Sequence, residues 1–246
     1  MLVERKDEDG VATLSLNRPE KLNAINIPLM VELRAQVDAL KDDETVGCVI
    51  LTGEGRSFCA GHDLESIAKG ERAPSKHFEP ETIDAIERLP QPTIARIRGH
   101  CFTGGLELAL ACDLLLAAES SKLGDTHGQW GLAPVWGMSI RLPERVGRSR
   151  AKDLMFTSRR ITARTAAEIG LVDRVCADDD LDGEVARLAR EICENSRGTN
   201  RIVKSLLGAN AERSRADALV FERSAPFGFP KDMRERMSRT SSKKKA

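Results

Sequence analysis

The spacing of hydrophobic and polar positions changes along the chain in a way that predicts strands alternating with helices. Residues 11–16 alternate at a period of two, which is typical of a β-strand with one buried face. Apolar residues over 28–41 recur at helical spacing, and Pro28 stands near the helix start, where its missing N–H costs little. The apolar run 48–52 then predicts a second strand.

The same alternation continues further along the chain. Residues 93–97 and 114–118 are apolar runs of strand length, and the helical run 106–112 lies between them. Strands alternating with helices predict an α/β protein with a mainly parallel sheet and right-handed crossovers. The charged, proline-bounded stretch 65–91 predicts a mobile loop with one short helix over 82–88.

Composition narrows the functional classes. A chain of 246 residues is long enough for one large domain, or one domain with a small appendage. Lys and Arg total 38 and so do Asp and Glu, which gives no overall attraction to nucleic acid or to a membrane. Six cysteines lack C-x-x-C spacing, and the first residues lack the apolar stretch of a signal peptide. We therefore expect reduced thiols, no metal site and a cytoplasmic location.

Two glycine-punctuated segments each follow a predicted strand. They read S-F-C-A-G-H-D-L over 57–64 and G-H-C-F-T-G-G-L-E over 99–107. Glycines permit tight turns and close approach of a ligand, and the start of a helix leaves amide N–H groups unpaired. Two such N–H groups facing each other would stabilise negative charge that develops on a carbonyl oxygen. Thioester chemistry through an enolate needs such a pocket, with a base beside it.

With these segments in place, the sequence resembles the crotonase superfamily of enoyl-CoA hydratases and isomerases. The resemblance covers residues 1–210, and further matching segments are L-N-R-P-E-K-L-N-A over 16–24, G-L-A-P over 131–134 and A-A-E-I-G-L-V-D over 166–173. It implies a spiral of ββα turns over 1–190, carrying the CoA and oxyanion-hole site, and a C-terminal helical region for trimerisation or lid formation over 191–237. The lysine-rich tail 238–246 is predicted to be disordered.

The resemblance also assigns roles to residues at the glycine segments. The backbone N–H groups of His62 and Gly104 are expected to form the oxyanion hole, and Glu107 to hold or activate the attacking water. An acid in a first helical turn could instead serve as a cap. A capping box from Thr103 would need that acid at Leu106, so the register counts mildly against this alternative.

One position departs from the family pattern. Hydratases carry a second glutamate where this chain has His127, in the stretch L-G-D-T-H. A histidine near neutrality can donate or accept the α-proton, so hydration remains feasible. Two alternatives stay open: His127 only lines the pocket, or it only bonds to Asp125, which could itself reach inward.

The resemblance further predicts where the substrate is held. Trp130 and Trp136 could form flat apolar walls of the acyl pocket, although both could equally be core residues. Residues expected along the coenzyme A part of the substrate are Lys21, Leu22, Ala24, Ala60 and Asp63, with Phe229 and Lys231 as a C-terminal aromatic and basic patch.

These residues predict an enoyl-CoA hydratase that adds water across a 2,3 double bond, or catalyses the reverse dehydration, and that needs no cofactor besides the coenzyme A of its substrate. Other enolate reactions remain alternatives: double-bond isomerisation, thioester hydrolysis or decarboxylation. A non-catalytic CoA-ester or RNA-binding relative is a third, although no basic helix with interleaved aromatic residues is present. The resemblance implies a homotrimer or hexamer; we expect no nucleic-acid or membrane partner.

Overall fold

A computed structural model describes the backbone of residues 1–243 and the side chains of residues 1–238. The strands in chain order are β1 (Val3–Glu8), β2 (Val11–Leu16), β3 (Cys48–Gly53), β4 (Thr93–Ile97), β5 (His100–Phe102), β6 (Leu114–Ala118), β7 (Lys122–Gly124), β8 (Ile161–Thr162) and β9 (Arg174–Cys176). The helices are α1 (Ile27–Lys41), α2 (Leu64–Lys69), α3 (Phe78–Glu87), α4 (Gly104–Leu110), α5 (Met138–Val146), α6 (Arg148–Thr157), α7 (Ala163–Glu168), α8 (Leu181–Glu194), α9 (Arg197–Asn210), α10 (Arg215–Arg223) and α11 (Met233–Lys243). Two short 3-10 helices cover Pro19–Lys21 and His127–Trp130.

The main sheet has six strands in the order β1-β2-β3-β4-β6-β9. Only β1 pairs antiparallel, through a hairpin that turns at Asp9 and Gly10; the remaining pairs are parallel. A smaller sheet, in the order β5-β7-β8, stands beside it. Parallel pairing brings the carboxyl ends of β3, β4 and β6 to one edge of the main sheet.

The core lies on both faces of this sheet. Cys48 and Ile50 of β3 pack with α8, whereas Val49 and Leu51 face the larger core that includes α1. This follows from the period of two, which sends successive side chains of a strand to opposite faces. Strands buried on both sides explain why β3 reads as a continuous apolar run.

The C-terminal helices are packed less tightly. Helix α8 buries four side chains against the sheet, while α9 and α10 have no fully buried residue. Helix α9 is tied to the core by Lys204, whose Nζ lies 2.7 Å from an Asp113 oxygen. Within the described residues, no helix is both long and apolar enough to span a bilayer.

The α/β class, the parallel sheet and the predicted strands at 11–16, 48–52 and 114–118 are confirmed. The expectation for 65–91 was incomplete, because this stretch forms two helices, α2 and α3. Asp63 caps α2 by accepting the Glu65 N–H, a local contact that the charge pattern hid.

Helix α11 extends into the tail. It continues through residues 238–243, and residues 244–246 lie outside the described residues, so the predicted disorder of 238–246 stays a prediction. Arg, Glu and Met are favourable helix formers, and an Arg236–Asp232 ion pair at 2.5 Å supports the first turn.

Candidate active site

An extended segment over residues 57–63 forms the floor of the site. On one side, the N–H of Ala60 donates to the Leu22 carbonyl at 3.0 Å, and that of Asp63 donates to the Ile25 carbonyl at 2.7 Å. On the other side, the N–H of Cys59 donates to the His100 carbonyl at 2.9 Å. Bonding on both sides fixes His62 within a rigid backbone.

The amide groups of His62 and Gly104 are free to bind a ligand. Neither N–H has a hydrogen-bond acceptor among the described residues. The two segments lie side by side, since a Cβ built on Gly61 would be 3.7 Å from the Gly104 nitrogen and 3.1 Å from the Phe102 carbonyl oxygen. Gly61 has a φ of +106°, so both its conformation and this close approach require glycine.

Glu107 projects from the first turn of α4 into the protein interior. Its residue is 1% exposed, and its Oε1 accepts the Met138 N–H at 3.0 Å. Burial raises the pKa of Glu107 to about 7, against the opposing effects of His127 and of the Met138 N–H. A carboxyl group with such a pKa can accept or release a proton near neutral pH.

His127 bridges two buried carboxyl groups. Its Nδ1 lies 2.5 Å from Asp125 Oδ1, and its Nε2 lies 4.0 Å from Glu107 Oε2. Burial favours a lower pKa for His127, but the hydrogen bond and charge of Asp125, together with Glu107, outweigh it and raise the pKa above 6.5. His127 therefore bonds to Asp125 and also faces Glu107, so it does more than either line the pocket or bond to Asp125 alone.

The two tryptophans have different surroundings. Trp136 is 6% exposed, its ring centroid lies 5.0 Å from that of His62, and a Cβ built on Gly104 would meet its ring at 2.6 Å. Trp136 also lines a groove of about 800 Å³ between α3, α5 and α9. Trp130 is 55% exposed at the end of its 3-10 helix, so it does not form a buried wall as Trp136 does.

The residues predicted to contact coenzyme A at the first glycine segment lie along one edge. Leu22 and Ala60 are hydrogen-bonded through their backbones, and Lys21 pairs with Glu65 at 3.3 Å. Asp63 forms an ion pair with Arg18 at 2.9 Å, and Arg18 also donates to the Ala24 carbonyl. Lys21, Leu22, Ala24, Ala60 and Asp63 are thus brought together beside His62.

Phe229 and Lys231 are not brought to this edge within one chain. The ammonium of Lys231 lies 3.3 Å from Glu44, which precedes β3. Phe229 and Lys231 both line a separate cavity of about 560 Å³ with Glu44. That cavity lies at the amino end of β3, whereas the Lys21 region lies beyond its carboxyl end. The part of Phe229 and Lys231 in holding coenzyme A stays a prediction.

Some residues of the site could not be assigned from the sequence. Met138 contributes only its backbone N–H, which no side-chain pattern predicts. Arg141 is buried and contacts Asp84 and Glu87 of α3 at 2.6 Å, while its Nη1 donates to the Trp136 carbonyl at 2.9 Å. The only sequence signal for Arg141 was an arginine among the apolar residues of α5. Its acidic partners could not be identified, because they lie more than 50 positions away in the sequence.

Comparison with known proteins identifies the family of the chain. The model of the enoyl-CoA hydratase/isomerase family matches residues 6–245. A probable peroxisomal enoyl-CoA hydratase of Arabidopsis thaliana is 36% identical over 232 residues, covering 92% of this chain and 85% of the relative. A crotonyl-CoA hydratase of Syntrophomonas wolfei is 32% identical over 246 residues, covering 97% of this chain and 94% of the relative.

Solved structures give the same relationship. An enoyl-CoA hydratase from Bacillus anthracis superposes with a TM-score of 0.92 at 32% sequence identity, covering 99% of this chain and 97% of that one. The crotonase fold that the sequence predicted is therefore confirmed. This chain belongs to the enoyl-CoA hydratase/isomerase family.

Proposed function

We propose that this protein adds water across the 2,3 double bond of an enoyl-CoA thioester and catalyses the reverse dehydration. The observation that carries the proposal is the buried Glu107 carboxyl group beside His127. Glu107 lies on α4, and the first amide N–H of this helix, that of Gly104, is unpaired and lies next to His62. A base, an acid and an oxyanion pocket are the groups that enolate chemistry requires.

In this mechanism the thioester oxygen accepts hydrogen bonds from the N–H groups of His62 and Gly104. The ionised Glu107 takes a proton from a water molecule while the water oxygen bonds to the β-carbon. Electrons of the double bond move onto the thioester oxygen, giving an enolate that the two N–H groups stabilise. The protonated His127 then donates its Nε2 proton to the α-carbon, which completes addition of H and OH.

The arrangement also returns the site to its starting state. After one turnover Glu107 is protonated and His127 is neutral. Their facing atoms are 4.0 Å apart, so a short rearrangement or one intervening water passes the proton back. Asp125 holds the imidazole through Nδ1, which leaves Nε2 directed toward the reacting carbons.

The coenzyme A part would lie along the edge formed by Lys21, Leu22, Ala24, Ala60 and Asp63. Phe229 and Lys231 could act there only from a neighbouring copy, because they are remote in their own chain. Exposed apolar residues on the C-terminal helices support a trimeric or hexameric assembly: Leu207 is 70% and Val220 is 66% exposed.

The acyl group would end against Trp136. This ring lies against His62 and Gly104, and Trp136 also lines the groove between α3, α5 and α9. We infer that it forms a wall between the oxyanion pocket and that groove. Such a wall favours short acyl chains. Trp130, with its exposed ring, is not part of this proposed pocket.

The experiment is a steady-state assay of the purified protein with crotonyl-CoA, following loss of the enoyl thioester absorbance. Hydration to the 3-hydroxy product supports the proposal. A protein that instead converts a 3-enoyl-CoA to its 2-enoyl isomer, with no water incorporated, uses the Glu107 and His127 pair as a proton shuttle only. No turnover of either ester, with CoA esters still bound, would favour a non-catalytic binder.

A further inference from the structure

Thr103 has a backbone conformation that threonine rarely adopts. Its φ is +52° and its ψ is −113°, immediately before the Gly104 amide of the proposed oxyanion pocket. A β-branched residue is strained at positive φ, whereas glycine is not. This conformation persists only if surrounding contacts enforce it.

Those contacts come from Thr126. The hydroxyl groups of Thr103 and Thr126 are 2.6 Å apart, and the Thr126 N–H donates to Thr103 Oγ1 at 3.2 Å. On the backbone, the Thr103 N–H donates to the Gly124 carbonyl at 2.9 Å. Both threonines are buried, so water does not compete for these bonds.

Thr126 also lies between the two residues of the proton-transferring arm. Asp125 and His127 flank it directly and are bonded to each other through Asp125 Oδ1. Within the stretch 125–127, Asp125 therefore positions the imidazole of His127, and Thr126 restrains Thr103.

We propose that the Thr103–Thr126 hydroxyl pair is a positioning device that holds the Gly104 N–H in register with His127. The inference rests on the proposed function, since it assigns Gly104 to the oxyanion pocket. Thr103 and Thr126 act through the backbone and not on the substrate. Loss of the pair lets the peptide before Gly104 rotate, which misaligns one of the two oxyanion donors.

The test compares Thr126→Val, which keeps the shape and removes the hydroxyl, with Thr126→Ser, which keeps the hydroxyl. We expect Thr126→Val to lower kcat by about 10- to 100-fold, below the full loss of an oxyanion donor, with KM little changed. Thr126→Ser should retain near wild-type kcat. The pH dependence should stay that of wild type, because Asp125 and His127 remain in place.

A second readout does not depend on turnover. Acetoacetyl-CoA is a short β-keto thioester whose enolate absorbs differently from its keto form. The enolised fraction in the complex reports how strongly the pocket stabilises an enolate oxygen. Thr126→Val should reduce that fraction and Thr126→Ser should not. This signal remains measurable if the proposed hydration reaction is absent, so failure of the two ideas can be told apart.

A third variant tests the origin of the effect. In a Thr103→Gly background the strained conformation costs little, so Thr126→Val should have little further effect on kcat or on enolisation. The proposal is overturned if folded Thr126→Val keeps both wild-type kcat and wild-type enolisation. It is also overturned if the effect of Thr126→Val is equally large in the Thr103→Gly background.

Discussion

The Nε2 atom of His127 lies 4.0 Å from the Oε2 atom of Glu107 in a pocket that excludes most solvent. On the other side of the imidazole ring, Nδ1 lies 2.5 Å from Asp125 Oδ1, and this contact fixes the orientation of the ring. The position where the resemblance implies a second glutamate thus carries a histidine with its own carboxylate partner. We infer that a histidine, His127, serves as the proton donor in place of a carboxylic acid, while a glutamate, Glu107, remains the base.

The pH dependence follows from this pair. Glu107 must be ionised to accept a proton from water, and burial raises its pKa to about 7. His127 must be protonated to serve as the acid, and its pKa is raised above 6.5 by Asp125 and Glu107 against the effect of burial. We predict a bell-shaped kcat/KM, with a low-pH limb near the pKa of Glu107. A rate that stays constant down to the pH at which the protein unfolds would contradict the role of Glu107.

Asp125→Asn tests how the acid is tuned. The amide preserves the shape of Asp125 but removes the negative charge that raises the pKa of His127. We expect the high-pH limb of kcat/KM to move to lower pH, and exchange of the α-proton in heavy water to slow at neutral pH. His127→Ala should abolish that exchange. If the α-proton exchanges at the wild-type rate in His127→Ala, then His127 only lines the pocket and does not transfer the proton.

The wall formed by Trp136 should limit acyl length. We expect removal of the indole to open a path from the oxyanion pocket to the groove of about 800 Å³ that Trp136 also lines. We predict that Trp136→Ala raises kcat/KM for a medium-chain enoyl-CoA relative to crotonyl-CoA by about tenfold or more, a typical worth of a few methylene contacts. The matched control is Trp130→Ala, which should leave the ratio unchanged because that ring is exposed. An unchanged ratio in Trp136→Ala would place the acyl chain elsewhere.

Glu107 should also cost stability at alkaline pH. Its folded pKa of about 7 exceeds the ordinary value of 4.5, so the folded state holds the proton more tightly than the unfolded state. Stability therefore falls as pH rises from 4.5 to about 7 and stays lower above that range. We predict that Glu107→Gln is more stable than wild type by about 3–4 kcal/mol at alkaline pH, at about 1.4 kcal/mol per pKa unit, and nearly equal at acidic pH.

Urea unfolding at both pH values measures this difference. Glu20→Gln, at an exposed position, is the control and should change stability little at either pH. Equal stability of Glu107→Gln and wild type at alkaline pH would mean that the carboxyl group is not held in a desolvated pocket.

Local patterns predicted most of the fold because they coincide with the final packing. The period of two in β2 and the apolar run of β3 reflect strands buried against α1 and α8. The stretch 65–91 was harder, because α2 depends on the Asp63 cap and α3 on burial of Ile83 and Ile86. The cap is a local contact and the burial is a tertiary one, and charge patterning alone reveals neither.

For the site, resemblance predicts the roles of Glu107, His127 and the two amides, but the sequence could not show how these groups contact one another. The contact of His127 with Asp125 is local, whereas its approach to Glu107 joins two segments that only the folded chain brings together. For Phe229 and Lys231, the sequence resemblance did not indicate at which end of the sheet these residues lie.

The most direct test of the account is hydration of crotonyl-CoA by Glu107→Gln. The glutamine oxygen can still accept the Met138 N–H, so the fold and the position of α5 are preserved while the base is lost. We predict a fall in kcat/KM of about 100- to 10,000-fold, with CoA-ester binding retained. A folded Glu107→Gln enzyme that hydrates crotonyl-CoA at the wild-type rate would show that this buried carboxylate does not activate the attacking water.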